Sequence, residues 1–242
     1  MLPRFCHTFV LLLAGILAAC GGGNTAIEDP PAALAAVLPG DWLVMGTSTA
    51  AGVGAPAAEG WVALLGKALA GQGVRVANAA RAGTLTYHWL PTATARPPQR
   101  PATIEALDVL KLEPASPRLV VLNFPSNDAM AGISAAETVD NLLLLRRIEL
   151  DRGALVLVTS SQPRDDADAA QRATMQAVDA ALMAKLGDCF VDIRSGLVDA
   201  VGGLADDVAA GDGVHLNARG HRKLFERLLA VIVSGRCSAA QR

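Results

Sequence analysis

LVVLNF at residues 119–124 and ALVLVT at residues 154–159, with AETVDNLLLLRRIELDR at residues 136–152 between them, decide the fold of this chain. Neither short run alternates polar with apolar residues, as a strand with one face in water does. Strands that are apolar throughout are covered on both faces, which is the habit of parallel sheets. The stretch between them sets Leu142, Leu143, Leu145 and Ile148 on one side of a helix. A strand, a helix and a second buried strand make a right-handed crossover unit.

The same alternation extends in both directions. Residues 41–46 (DWLVMG) read as a strand, and residues 59–70 (EGWVALLGKALA) as an amphipathic helix ended by Gly71 and Gly73. Residues 74–77 form a second strand, residues 166–186 a long helix, residues 189–193 (CFVDI) a fifth strand and residues 218–233 a closing helix. The Pro- and Arg-rich residues 91–101 (PTATARPPQRP) cannot continue a helix or a central strand, so they are expected as a surface loop leading to a helix near residues 104–112. The expected fold class is α/β, a three-layer α/β/α sandwich around a doubly wound parallel sheet of five strands.

Composition agrees with this and excludes some functions. The 242 residues are 52% hydrophobic and 18% charged, with a formal charge of −2. That length suits one domain with a sizeable core, or at most two small ones. Without a basic excess, nucleic acid is not an expected partner. Gly52-Val53-Gly54 lacks the third glycine of a dinucleotide fingerprint because residue 57 is Ala, and no glycine-rich loop runs into Gly-Lys-Ser/Thr. No His and carboxylate cluster has metal-ligand spacing, so neither cofactor nor metal is expected.

The first residues read as a targeting segment. Arg4 precedes the apolar run FVLLLAGILA at residues 9–18, whose helical length of about 15 Å is half a bilayer core, the size of a signal-peptide segment. It ends in Leu17-Ala18-Ala19-Cys20, which resembles the lipobox of bacterial lipoproteins, and this resemblance implies a lipidated Cys20. The expected organisation is a signal peptide over residues 1–19, lipidated Cys20 and a tether over residues 20–39, and the α/β domain over residues 40–242. The expected location is the bacterial cell envelope, on the periplasmic side, with a membrane as partner through the lipid anchor. Export leaves two readings of Cys189 and Cys237: an intramolecular disulfide, favoured by an oxidising compartment, or two separate buried thiols.

In an open parallel sheet, ligands bind at the carboxyl ends of the strands. Four segments should meet there: Gly46-Thr47-Ser48; residues 78–83, ending in Gly83; Ser126-Asn127-Asp128; and residues 211–217, which contain Asp212 and His215. Together they hold a hydroxyl, a glycine, an amide, an imidazole and a carboxylate, the groups that acyl transfer needs. A serine hydroxyl needs an adjacent base, a neutral imidazole can be that base, and a carboxylate can fix its tautomer. The developing oxyanion needs fixed donors.

These blocks, in this order and near this spacing, resemble the SGNH/GDSL hydrolase family over about residues 41–230. The resemblance implies a flavodoxin-like fold and a carboxylic ester hydrolase that is a serine enzyme. It implies Ser48 as nucleophile, His215 and Asp212 as its base and orienting acid, and Ser48, Gly83 and Asn127 as the oxyanion hole. The chain departs from the family pattern in having Thr47 where Asp is usual and Pro125 where Gly is usual, neither of which transfers protons. Implied substrates are small-molecule, glycan or lipid esters, including acetylated saccharides. A different class of function, an envelope lipoprotein that binds glycans at the same rim without catalysis, is the alternative.

Each block also has a plainer reading. Ser48 can cap the helix that follows it, and Asp212-Gly213 can be a simple turn. Asp128 is expected as a turn or cap residue, His221 as a surface residue of the last helix, and Arg164 as a solvated residue at a helix start. His88 and Trp89 read equally as lining of the site mouth or as packing.

Overall fold

The computed structural model describes residues 37–95, 105–124 and 126–238. Strands β1 (Gly40–Gly46), β2 (Val74–Asn78), β3 (Leu119–Asn123), β4 (Leu155–Thr159) and β5 (Phe190–Val191) form one parallel sheet in the order β2-β1-β3-β4-β5. Every side chain of β3 is buried, and so are the last five of β1. Each large apolar side chain taken fully out of water contributes roughly 1.5–3 kcal/mol, so these two strands anchor the core.

Among the described residues six α-helices accompany the sheet: α1 (Ser48–Ala51), α2 (Trp61–Leu69), α3 (Asn127–Met130), α4 (Ala135–Asp151), α5 (Ala169–Leu186) and α6 (Ala218–Ser234). The crossover from β1 to β2 runs outward in one direction and those from β3 onward in the other, which puts their helices on opposite faces. Accordingly α2 packs on α6, and α4 packs on α5. The expected three-layer sandwich is thus the observed fold. The direction of winding reverses between β1 and β3, and the carboxyl side of such a switch point is where open α/β sheets place their ligand sites.

Three elements differ from expectation. Residues 105–112 make two single 3₁₀ turns, Glu105–Leu107 and Val109–Lys111, rather than a helix. Asp108 explains the break: one oxygen caps Leu110 N–H at 3.0 Å, while the other accepts from Thr92 N–H at 3.0 Å. The long helix starts at Ala169, not at residue 166, because Asp168 and Gln171 form a reciprocal capping box. Strand β5 is two residues long because Ile193 N–H and Arg194 N–H turn away to Ser160 Oγ, at 2.9 and 3.1 Å.

Cys189 and Cys237 form a disulfide that joins the start of β5 to the end of α6. The expected signal peptide, Cys20, most of the tether, Pro125 and part of the Pro-rich loop lie outside the described residues. Among the described residues no helix is long and apolar enough to cross a membrane, and no group of three or more His, Cys, Asp or Glu is placed to hold a metal.

Candidate active site

Ser48 opens α1 directly after β1, on the rim beside the switch point. The turn that presents it needs Gly46: a Cβ there would lie 2.5 Å from Asn123 O and 2.8 Å from Ala50 Cβ. Beyond β2 the chain keeps following β1, with Ala79 N–H bonded to Val44 O and Arg81 N–H to Gly46 O, both at 2.9 Å. This extension carries Gly83, with φ of 76°, towards the Ser48 segment. Asn78 supports the same region by donating from Nδ2 to Ala50 O at 2.8 Å.

Asn127 begins α3 after β3, and its Nδ2 donates to Thr84 O at 3.0 Å, joining the Gly83 block to the Asn127 block. Its Oδ1 accepts from Arg164 Nη1 at 3.3 Å, which fixes which end of the amide faces which way. Asp128 is a tertiary anchor rather than a local cap. Its buried carboxylate accepts from Thr86 N–H at 2.9 Å, from the Thr86 hydroxyl and from Thr138 Oγ1 at 3.2 Å. Burial pushes the Asp128 carboxyl above its ordinary range, against the pull of those donors.

His215 and Asp212 meet directly. His215 Nδ1–H donates to Asp212 Oδ2 at 2.6 Å, and the backbone N–H groups of Val214 and His215 donate to Asp212 Oδ1 at 2.9 and 2.8 Å. Those donors, the His215 backbone first, hold the Asp212 carboxyl far below the usual carboxylate range, so it stays ionised. With Nδ1 committed, Nε2 is the ring nitrogen left for proton transfer. Among the described residues no hydrogen bond joins Ser48 Oγ to His215, a contact that commonly tightens only when substrate is bound.

What draws the Ser48 and His215 segments together is their neighbours. Gly54, with φ of 98°, touches the His215 loop so closely that a Cβ would lie 2.9 Å from His215 Cβ and 2.3 Å from Leu216 O. Gln162, after β4, accepts from Thr49 Oγ1 at 2.9 Å and donates from Nε2 to Val214 O at 2.5 Å. The rim therefore gathers a hydroxyl, an oriented imidazole with its carboxylate, and an amide held at both ends.

Residues 44–223 match the GDSL-like Lipase/Acylhydrolase family. The chain belongs to that family. Over 122 residues it is 34% identical to Esterase TesA of Pseudomonas aeruginosa, which covers 50% of this chain and 53% of that protein. The chain thus spans about half the length of that relative in the match. The crystal structure of TesA superposes with a TM-score of 0.59 at 24% identity, over 80% of this chain and 98% of that one. A member of the lipolytic protein G-D-S-L family from Veillonella parvula superposes with a TM-score of 0.61 at 17% identity, over 79% of this chain and 97% of that one. At such identities the likeness speaks for the fold.

Several polar residues of this GDSL-like chain have places that differ from expectation. His221 is buried within α6, not on the surface: Nδ1 accepts from Trp61 N–H at 3.4 Å and Nε2 donates to Val53 O at 3.2 Å. Burial holds it below the usual imidazole range, so it serves as a neutral strut under the loop at Val53. Its spacing from Leu224, Leu228 and Ile232, all buried on the same helix face, is the sequence signal that marks it as internal. Arg164 is no solvated helix-start residue either; its side chain is 11% exposed and pairs with Asp166 at 2.7 Å besides reaching Asn127. Trp89 is packing, with its ring edge-on to Phe124 and its Nε1–H bonded to Thr84 Oγ1 at 3.1 Å. His88, half-buried, accepts at Nδ1 from Leu85 N–H at 3.0 Å.

Proposed function

We propose that this chain is a carboxylic ester hydrolase in which Ser48 is acylated and His215 moves the proton. The observation that carries the proposal is the 2.6 Å bond from His215 Nδ1 to an ionised Asp212, on a rim where a serine opens the helix after β1. Membership of the GDSL-like Lipase/Acylhydrolase family supports it.

In this reading His215 Nε2 takes the Ser48 proton as Oγ attacks the ester carbonyl. Asp212 holds the imidazole in the correct tautomer and stabilises the imidazolium without itself becoming protonated. The oxyanion is met by the backbone N–H groups of Ser48 and Gly83 and by the Asn127 amide, one of whose N–H bonds is already tied to Thr84 O. Collapse of the tetrahedral intermediate releases the alcohol, which leaves with the proton from His215. Water, deprotonated by the same nitrogen, then attacks the acyl-Ser48 carbonyl and returns the free serine and a carboxylic acid.

The lipobox-like Leu17-Ala18-Ala19-Cys20 supports a place at the cell envelope, held by lipid on Cys20. Acetylated saccharides or lipid esters of the envelope are the substrates that this location favours. Mass spectrometry of the chain from bacterial membranes should find acyl groups on Cys20, and Cys20→Ala should release it from the membrane fraction. An unmodified Cys20 in a membrane-free protein refutes the anchor.

The test of the chemistry uses the full chain in detergent with p-nitrophenyl acetate. Hydrolysis by the wild type that is abolished by Ser48→Ala and by His215→Ala supports the proposal, as does labelling of Ser48 alone by a fluorophosphonate. Activity that survives both substitutions removes it.

A further inference from the structure

We infer that Gln162, which offers no reacting atom, is the positioning residue that sets how Ser48 approaches His215. The inference deepens the serine-esterase reading and rests on it. Gln162 is 1% exposed, and one amide group bonds two segments far apart in the chain. Its carbonyl end holds the hydroxyl of Thr49, the residue after the nucleophile, and its NH₂ end holds the carbonyl of Val214, the residue before the base. Thr49 is itself buried, so that bond is made out of water, where hydrogen bonds are strongest, while the bond to half-buried Val214 lies nearer the surface.

The base loop needs such a hold. Gly211 and Gly213 have φ of 96° and 72°, and the half-exposed Asp212 carboxylate bonds only within the loop, to Val214 and His215, so it does not tie the loop to the Ser48 segment. Gln162, by contrast, sits on a strap that is fixed from below. Ser160 Oγ collects Ile193 N–H and Arg194 N–H, and Ser161 N–H donates to Asp179 Oδ1 at 2.6 Å. Arg164, two residues further on, reaches Asn127, so the same strap steadies the oxyanion amide. A rigid backbone thereby references nucleophile and base to one point, which is what near-attack geometry demands.

Gln162→Leu removes both bonds at similar volume, and a shift of the reacting groups by about 1 Å costs on the order of 10²-fold in rate. The assay is fluorophosphonate labelling of the full chain, which separates the rate constant from the fraction labelled, alongside kcat and KM for p-nitrophenyl acetate. Gln162→Leu is expected to label to full amplitude with a rate constant on the order of 10²-fold lower, and to lower kcat while KM stays near wild type. A merely structural role would lower the amplitude and leave the rate constant of the surviving fraction alone. Thr49→Val should lose part of the rate, Thr49→Ser should restore it, and Thr49→Val combined with Gln162→Leu should be no slower than Gln162→Leu alone.

A wild-type rate constant in Gln162→Leu, or a loss confined to KM, overturns the inference. If Gln162→Leu does not fold, a wild-type rate constant in Thr49→Val overturns it instead. Ser48→Ala and His215→Ala run in parallel keep the two claims apart. Activity surviving in those two defeats the serine-esterase reading, whereas dead controls beside an unaltered Gln162→Leu defeat the Gln162 clamp alone.

Discussion

At the carboxyl edge of the sheet, loops are held by polar side chains working singly: Gln162 between Thr49 and Val214, Asp128 on Thr86, Arg164 on Asn127. At the amino edge a covalent link is added to the polar hold that Arg152 has on Val109 O, Leu112 O, Pro114 O and Ala115 O. The Cys189–Cys237 disulfide closes the end of α6 against β5, beside a cavity of about 380 Å³ lined by Leu38, Trp42, Leu119, Leu155 and Ile232 among others. Hydrogen bonds are directional and individually modest, so an edge built from them can aim groups at small cost to the rest of the fold. A cross-link acts on the whole unfolded ensemble and aims nothing. Substitutions at the two edges should therefore separate: rate at one, stability at the other.

The largest separation is expected at Asp212. Asp212→Asn presents an amide to His215 Nδ1 and favours the wrong tautomer, which should lower kcat by on the order of 10⁴-fold. Because the Asp212 side chain is half-exposed, thermal denaturation should move little. A large fall in melting temperature with kcat preserved would reverse the assignment of this edge.

The amino edge should answer in the opposite sense. Replacing both Cys189 and Cys237 by Ser opens a cross-link with a sequence separation of 48. In the chain-entropy account this costs about 4 kcal/mol of unfolding free energy. Denaturant titration reads that loss, while kcat for p-nitrophenyl acetate at a temperature where the variant is folded should match the wild type. A drop in kcat there would mean that the two edges are coupled through β5 and the strap above it.

Asn127→Ala returns to the carboxyl edge. Loss of one oxyanion donor should cost about 3 kcal/mol of transition-state stabilisation, seen equally in kcat and kcat/KM. An unchanged kcat would show that the amide serves only to join Thr84 and Arg164.

The same contrast explains what the sequence discloses. Strands β1, β3 and β4 announce themselves because a strand buried on both faces must be apolar at every position, a local property of the chain. Ser48, Gly83, Asn127, Asp212 and His215 are legible as a set because each follows a strand or precedes a helix in a fixed order. Gln162 is not legible. Its bond to Thr49 crosses 113 residues, and no local pattern separates a loop glutamine with that partner from one in water. The shortness of β5 has the same origin, since the acceptor that draws Ile193 and Arg194 off the ladder is Ser160 of another strand's end. His221 was accessible to helix periodicity, which places it in line with Leu224 and Leu228.

The smallest effect sharpens the comparison most, because it concerns stability at the carboxyl edge. Asp179, on α5, lies half-buried beneath the strap with Arg194 and Asp192 nearby, and desolvation raises its carboxyl from 3.8 to about 6 despite the N–H of Ser161 at 2.6 Å. A folded-state value above the unfolded one means that the folded protein holds the proton more tightly. Stability is then greatest below the unfolded value and falls as pH rises through about 6, after which it is level. At roughly 1.4 kcal/mol per pH unit, the whole penalty is at most about 3 kcal/mol, and relaxation of the site makes it smaller. Asp179→Asn cannot ionise, yet its Oδ1 can still accept from Ser161. It should therefore match the wild type in urea denaturation near pH 4 and exceed it near pH 8, with the excess appearing between the two. If Asp179→Asn is instead the less stable protein at pH 8, the charge itself is needed to hold Ser161. The carboxyl edge would then depend on an ion as well as on its neutral hydrogen bonds.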